Sequence, residues 1–276
     1  MSPLESLFLR TPNHPSIPRV VQELIVSLRD DQANLEHVIN QVRQDQSLSA
    51  RVLRLANSGY YGSRSRIGAI DEAVTRIGVN ALRTLVIASG IAGAFPKVPG
   101  VDLKAFFRHA ILTAGIAREL GRMAKMNGEL AYTAGLMHRI GQLVIHLAGP
   151  NAASQIAQDA KDQHAAARAA RELELLGVTH CEAGAELARR WQFPELIEHG
   201  IRHYCQPTHP DAPPLAGVIW LAADIATRLE AGQSPAQLAA ALDAPLLDTL
   251  GLAGRDMEAE VDRMAERLMG ADTCMV

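Results

Sequence analysis

The sequence predicts an all-α protein, and three observations carry that expectation. Hydrophobic residues make up 48% of the 276 positions, yet aromatics only 4%, and Ala and Leu dominate. Those two residues lose little side-chain freedom in a helix, whereas β-rich folds draw on aromatic and β-branched residues. Apolar residues also recur at three- and four-residue spacing along the chain, and no stretch alternates with the period of two that a half-buried strand shows. About a dozen helices follow from that spacing.

Pro12, Pro15 and Pro18 mark an extended lead-in, because proline fixes φ and blocks helix continuation. Val20, Val21, Leu24, Ile25 and Leu28 then predict a helix. Leu35, Val38, Ile39 and Val42 predict a second, and Leu48, Val52, Leu53 and Leu55 a third. A Gly-, Ser- and Tyr-rich loop, NSGYYGSRSRIG, covers 57–68. Residues 71–89 read as two helices split near Gly78 and Asn80, and FPKVPG at 95–100 is a breaker and a candidate subdomain boundary. A long buried helix is expected over 103–124, and another over 128–149, broken near Gly141. The Ala-rich 151–177 is strongly helical and fits either a dimer surface or an exposed helix. A short helix at 180–191 ends before Pro194, 213–232 is a buried helix, and 235–269 alternates short helical pieces with breaks at Pro245 and Gly251.

A net charge of −3 gives no general pull toward nucleic acid or a membrane, and no helix clusters basic residues as a nucleic-acid reader does. The N-terminus lacks the basic and apolar regions of a signal peptide, and the longest apolar run, 84–95, is too short to span a bilayer. Cys181, Cys205 and Cys274 are odd in number and far apart in sequence. They imply no disulfide framework, and a cytoplasmic location is the expectation.

The chemistry-bearing candidates lie inside apolar helices. GLMHRIGQLVIH (135–146) holds His138 and Arg139, while His109 and Asp224 sit in two other apolar helices. A polar group on a buried face must be paired or it costs a few kcal/mol. Imidazole and carboxylate also suit a divalent metal, so these helices could converge on a site, with His180 and His203 as further candidates. Spacing alone does not define one, since a buried histidine is more often a hydrogen-bonded core residue.

The order FFRH, GLMHR, WLAAD resembles the HD superfamily of metal-dependent phosphohydrolases, whose ligands run His, His-Asp, Asp. PSIPRVVQELI (15–25), QDQSLSARVLRLANSGYYG (44–62), IDEAVTRIGVNALRTLVIA (70–88) and THCEAGAELARRWQFPELIEHGIRHY (179–204) narrow the resemblance to its HDOD branch, over about residues 12–230. The resemblance implies an N-terminal helical subdomain at 12–95, a degenerate HD-like core at 100–230 and a C-terminal helical extension at 231–276. It places the superfamily's ligand positions on His109, His138, Arg139 and Asp224. The extra histidines of the related HD-GYP phosphodiesterases fall on His180 and His203, with Tyr204 where that branch often has a second histidine. The GYP signature itself is missing.

Arg139 stands where the superfamily has its aspartate, a change of two charge units, and Arg has no lone pair to donate. A guanidinium about 4 Å from a divalent ion is repelled by roughly 8 kcal/mol at an effective dielectric near 20. Arg139 could swing away and leave the three ligands His109, His138 and Asp224, or point to solvent. The expectation preferred here is that it sits in the metal's place and pairs with Asp224.

The HDOD resemblance implies a non-catalytic bacterial signalling regulator that needs no cofactor and works through other signalling proteins, in pathways such as cyclic-dinucleotide signalling, motility or stress. Two other readings stay open: a divergent metal-dependent phosphohydrolase, and a cyclic-dinucleotide receptor. A candidate binding loop comprises Asn57, Tyr60, Tyr61, Arg64 and Arg66, near Arg51, Arg54, Arg76 and Arg83, because arginine forks and exposed aromatics suit phosphates or protein partners. The same loop also reads as a plain structural turn.

Overall fold

In the computed structural model, which describes residues 1–12, 14–26, 35–57, 66–159 and 165–269, every regular element is a helix. The helices are α1 (Pro3–Arg10), α2 (Arg19–Val26), α3 (Leu35–Gln44), α4 (Gln46–Ala56), α5 (Ile70–Ile77), α6 (Val79–Gly93), α7 (Leu103–Met123), α8 (Gly128–Met137) and α9 (Ile140–Ala148). They continue with α10 (Pro150–Asp159), α11 (Ala165–Leu176), α12 (His180–Arg190), α13 (Glu195–His203), α14 (Pro214–Glu230), α15 (Pro235–Ala240), α16 (Ala244–Thr249) and α17 (Met257–Met269).

Side-chain caps fix several helix starts. Asp102 accepts from the Ala105 amide at the head of α7, and Asn127 from the Glu129 and Leu130 amides at the head of α8. Thr179 and Glu182 form a capping box at the start of α12. Ser2 and Glu5 form another, which with Pro3 in the first turn starts α1 ahead of the extended lead-in. The predicted split at Gly78 is present, with Gly78 at φ +82.

The break expected near Gly141 lies instead at His138 and Arg139, where Arg139 leaves helical geometry at φ −104, ψ 4. Gly141 stays inside α9 and serves packing. A Cβ there would lie 2.0 Å from the His180 carbonyl oxygen and 2.6 Å from the Gly184 amide nitrogen, so the backbones of α9 and α12 touch. Gly135 plays a similar part in α8, where a Cβ would come within 2.9 Å of the Ala117 methyl on α7.

α7 packs against α8 and α14, α9 against α12, and α12 against α13, which returns to α14. α2 and α4 pack on α6, which also touches α8, while α17 packs on α15 and α7. One contiguous set of buried apolar side chains runs from Leu7 to Met264. The lead-in is pinned to the end of α12 by the Trp191 indole, whose Nε1–H donates to the Pro15 carbonyl at 3.0 Å. No single helix among the described residues is long and apolar enough to cross a membrane.

The α9–α12 contact makes Gly141→Ala a sharp test of the core. The added methyl has no room against backbone, so the variant should unfold about 3 kcal/mol more easily than wild type in urea. A change within error would mean that the two helices can part at little cost.

Candidate functional site

The α7–α8–α9 arrangement carries three of the expected residues to one place. α7 presents His109 and the end of α8 presents His138; both are buried, and their ring centroids lie 5.8 Å apart. Tyr204, just after α13, meets His138 at 5.3 Å edge-on and His180 at 5.7 Å. His109, His138, Tyr204 and His180 thus form a row of rings through the interior. His203 faces elsewhere and stacks on His209 at 5.2 Å.

Each histidine of the row is oriented by a partner. His109 Nδ1–H donates to Glu230 Oε2 at 2.7 Å, and His138 Nδ1–H to the Gly135 carbonyl at 2.5 Å. His138 Nε2 is left buried without a partner among the described residues. Burial, reinforced by the Arg139 charge, lowers the proton affinity of both; for His138 the drop is well below the usual histidine value. Glu230 holds its charge despite burial, because the His109 bond and Arg139 outweigh desolvation.

Arg139 neither points to solvent nor pairs with Asp224, which corrects the expected contact. Its guanidinium carbon lies 5.1 Å over the Phe106 ring, its Nε is buried without a partner among the described residues, and the carboxylate acting on it is Glu230. Asp224 bonds Arg228, one turn further along α14, at 2.8 Å. The local i,i+4 partner wins because the pair forms within one helix face.

A divalent metal of the superfamily kind does not fit this donor set. Two imidazole nitrogens remain beside a fixed guanidinium, and Asp224 is engaged by Arg228. What the arrangement offers instead is a cavity of about 370 Å³ lined by Arg108, Arg139, Arg168, His109, His146 and Glu230. Asp102 and Glu230 are the carboxylates of that lining; Glu230 lies 3.9 Å from Arg108, Arg168 is paired with Glu172, and Asp102 caps α7. The volume falls in the range of small-molecule sites.

His180 heads a second cluster. Its Nδ1 and its backbone amide both reach Glu172 Oε2, at 2.5 and 2.6 Å, while Arg168 holds Glu172 Oε1 at 2.9 Å. His180 Nε2 faces the Tyr204 hydroxyl at 2.5 Å, with Cys205 Sγ at 3.6 Å and Cys181 Sγ at 3.7 Å. Burial opposes its charge, yet Glu172 and Cys205 outweigh it and raise His180 to about 9.

Sequence reasoning missed Glu230, Arg168, Arg108, His146, Glu172 and the two cysteines. A signal for the cysteines was present: each directly follows a site residue, as His180-Cys181 and Tyr204-Cys205. The Ala-rich segment is likewise more than an exposed helix, since α11 turns Glu172 fully inward. Of the loop candidates, Asn57 is structural: its side chain bonds the Leu53 carbonyl and both backbone groups of Ile67. Arg66 is exposed, and Tyr60, Tyr61 and Arg64 lie outside the described residues.

The HDOD domain sequence model matches residues 14–207. A Shewanella amazonensis protein, provisionally named a phosphohydrolase, is 31% identical, with 98% of each chain covered and a TM-score of 0.79. An HDOD domain protein of Geobacter sulfurreducens has a TM-score of 0.82 at 23% identity, covering 99% of this chain and 97% of its own. A Treponema pallidum protein of unassigned function is 29% identical over 203 residues, 71% of this chain, but the match spans only 39% of its length.

Three buried histidines make stability fall in acid. His109, His138 and His146 all bind protons less readily when folded than the usual histidine at 6.5. Below 6.5 the unfolded chain therefore takes up protons that the folded chain refuses, and the stability present above 6.5 is lost as pH falls. Each such histidine contributes a slope of at most about 1.4 kcal/mol per pH unit. His138, facing Arg139, His109, His180 and Tyr204, should contribute most, so urea unfolding of His138→Gln between pH 7 and 5 should show a flatter dependence than wild type. An unchanged slope would mean that His138 is charged in the fold.

Proposed function

The chain belongs to the HDOD family, and from that premise we propose that it is a non-catalytic signal-transduction regulator, working through protein contacts that an anionic, phosphate-bearing ligand in the arginine-lined cavity tunes. The observation that carries this reading is the position of Arg139. Its charge lies beside both histidines of the former metal site, and its buried Nε has no partner among the described residues, as suits a donor kept for a ligand. Planar guanidinium groups match phosphate oxygens in bidentate geometry. The cavity is of a size to accept one mononucleotide or part of a cyclic dinucleotide.

Arg139 sits in the turn between α8 and α9, and α9 touches α12 without side-chain padding. A ligand that draws the guanidinium off Phe106 therefore acts on a junction of packed helices. Binding shifts the module's population only if the two positions of that turn differ in ligand affinity. A Marinobacter aquaeolei protein named for signal transduction has the same fold, with a TM-score of 0.77 at 24% identity, which is compatible with this role.

Calorimetry of the whole protein with cyclic di-GMP, GMP and pyrophosphate tests the reading, alongside turnover of bis(p-nitrophenyl) phosphate with Mn²⁺. At least one of the three anions should bind, Arg139→Gln should weaken it about tenfold or more, and the diester should remain intact. No heat with any of the three overturns the ligand half. Diester turnover that disappears in His138→Ala overturns the non-catalytic half and favours a divergent phosphohydrolase.

A further inference from the structure

We propose that His180, Cys181 and Cys205 form a structural metal site for a zinc-class divalent ion, which adjoins the His109–His138 pair through Tyr204 but uses neither of those histidines, and which does not rest on the function proposed above. The three donor atoms, Nε2 and two Sγ, all lie within 4.8 Å of one another, and all three residues are buried. The Nε2–Sγ separations are 3.6 Å to Cys205 and 3.7 Å to Cys181. A tetrahedral ion with one nitrogen at about 2.0–2.1 Å and sulfurs at about 2.3 Å sets those edges near 3.6 Å. The unbound geometry already has that spacing.

The surroundings are those of a built site. Metal-binding histidines typically donate their second ring N–H to a carboxylate, which fixes the ring and the tautomer. Glu172, with no exposure, does this at His180 Nδ1 and also accepts from the His180 amide, while Arg168 holds its other oxygen. Nε2 is thereby aimed at the two sulfurs. Tyr204 places its hydroxyl oxygen 2.5 Å from Nε2, where a small shift offers a fourth oxygen donor. Two thiolates and an imidazole select a borderline-soft ion over magnesium, calcium or manganese.

Uptake replaces protons: M²⁺ takes the places of the proton on Nε2 and of any on the two sulfurs, and those protons leave to solvent. No electron moves. The site is closed from solvent, so the ion is acquired as α12 and α13 pack, and it adds to folding stability. The cysteines are remote in sequence and meet only because α12 and α13 lie side by side.

The test is the metal content of the whole protein, expressed with added zinc and purified without chelator. About one equivalent of zinc is expected, falling below about a tenth in Cys181→Ser/Cys205→Ser. Should that variant fail to fold, Co²⁺ added to metal-free wild type should give a thiolate-to-cobalt charge-transfer band and tetrahedral visible bands. Wild type that holds no zinc and shows no such bands overturns the proposal. So does a Cys181–Cys205 disulfide in freshly purified protein, or zinc that survives both serine substitutions. Metal lost on His138→Ala but kept in Cys181→Ser/Cys205→Ser would place it at the HD position and likewise overturns the proposal.

Discussion

A carboxylate with no exposure, Glu172, holds the two halves of the functional region together. Removing such a charge from water costs several kcal/mol, and it is tolerated only where every oxygen is bonded. Here Arg168 takes one oxygen, and the amide and imidazole of His180 take the other. The first contact fixes a guanidinium at the wall of the cavity; the second fixes the ring that faces Tyr204, Cys181 and Cys205. One side chain on α11 therefore sets the cation geometry on one side and the donor geometry on the other.

Arg139 changes what the adjoining space can hold. The superfamily's arrangement gathers histidines and aspartates around a cation. In this chain a cation belonging to the protein lies beside His109 and His138, keeps both deprotonated more strongly than burial alone does, and lies against Phe106. Reversal of charge at one position puts a fixed cation where the superfamily holds a metal, and the anion site proposed above rests on that reversal. Fold and chemistry are separable here, as they are in other widely used folds.

The helical class was legible because apolar periodicity is a local property, and so were α7 and α14 almost to their ends. The break in 128–149 was misplaced because glycine is a local breaker signal, whereas Gly141 is needed for a contact with the His180 carbonyl that no local pattern encodes. His109, His138 and Asp224 stood out as polar residues inside apolar helices; the fold brings the two histidines together with the further candidate His180, while Asp224 bonds Arg228. Their partners Glu230 and Glu172 did not, since carboxylates on otherwise polar helix faces look solvated until the packing is known. The Arg139–Asp224 pair was a wrong choice that the sequence could have warned against: Arg228 lies four residues after Asp224 on the same helix.

Mn²⁺ binding by the wild type and by Arg139→Asp, measured by calorimetry, tests most directly whether the Arg139 charge closes the old metal site. Manganese prefers nitrogen and oxygen ligands, so the cysteine cluster does not compete for it. The account predicts no Mn²⁺ binding by the wild type and a gain of one site in Arg139→Asp. A wild-type protein that binds one Mn²⁺ as tightly as the variant would contradict it.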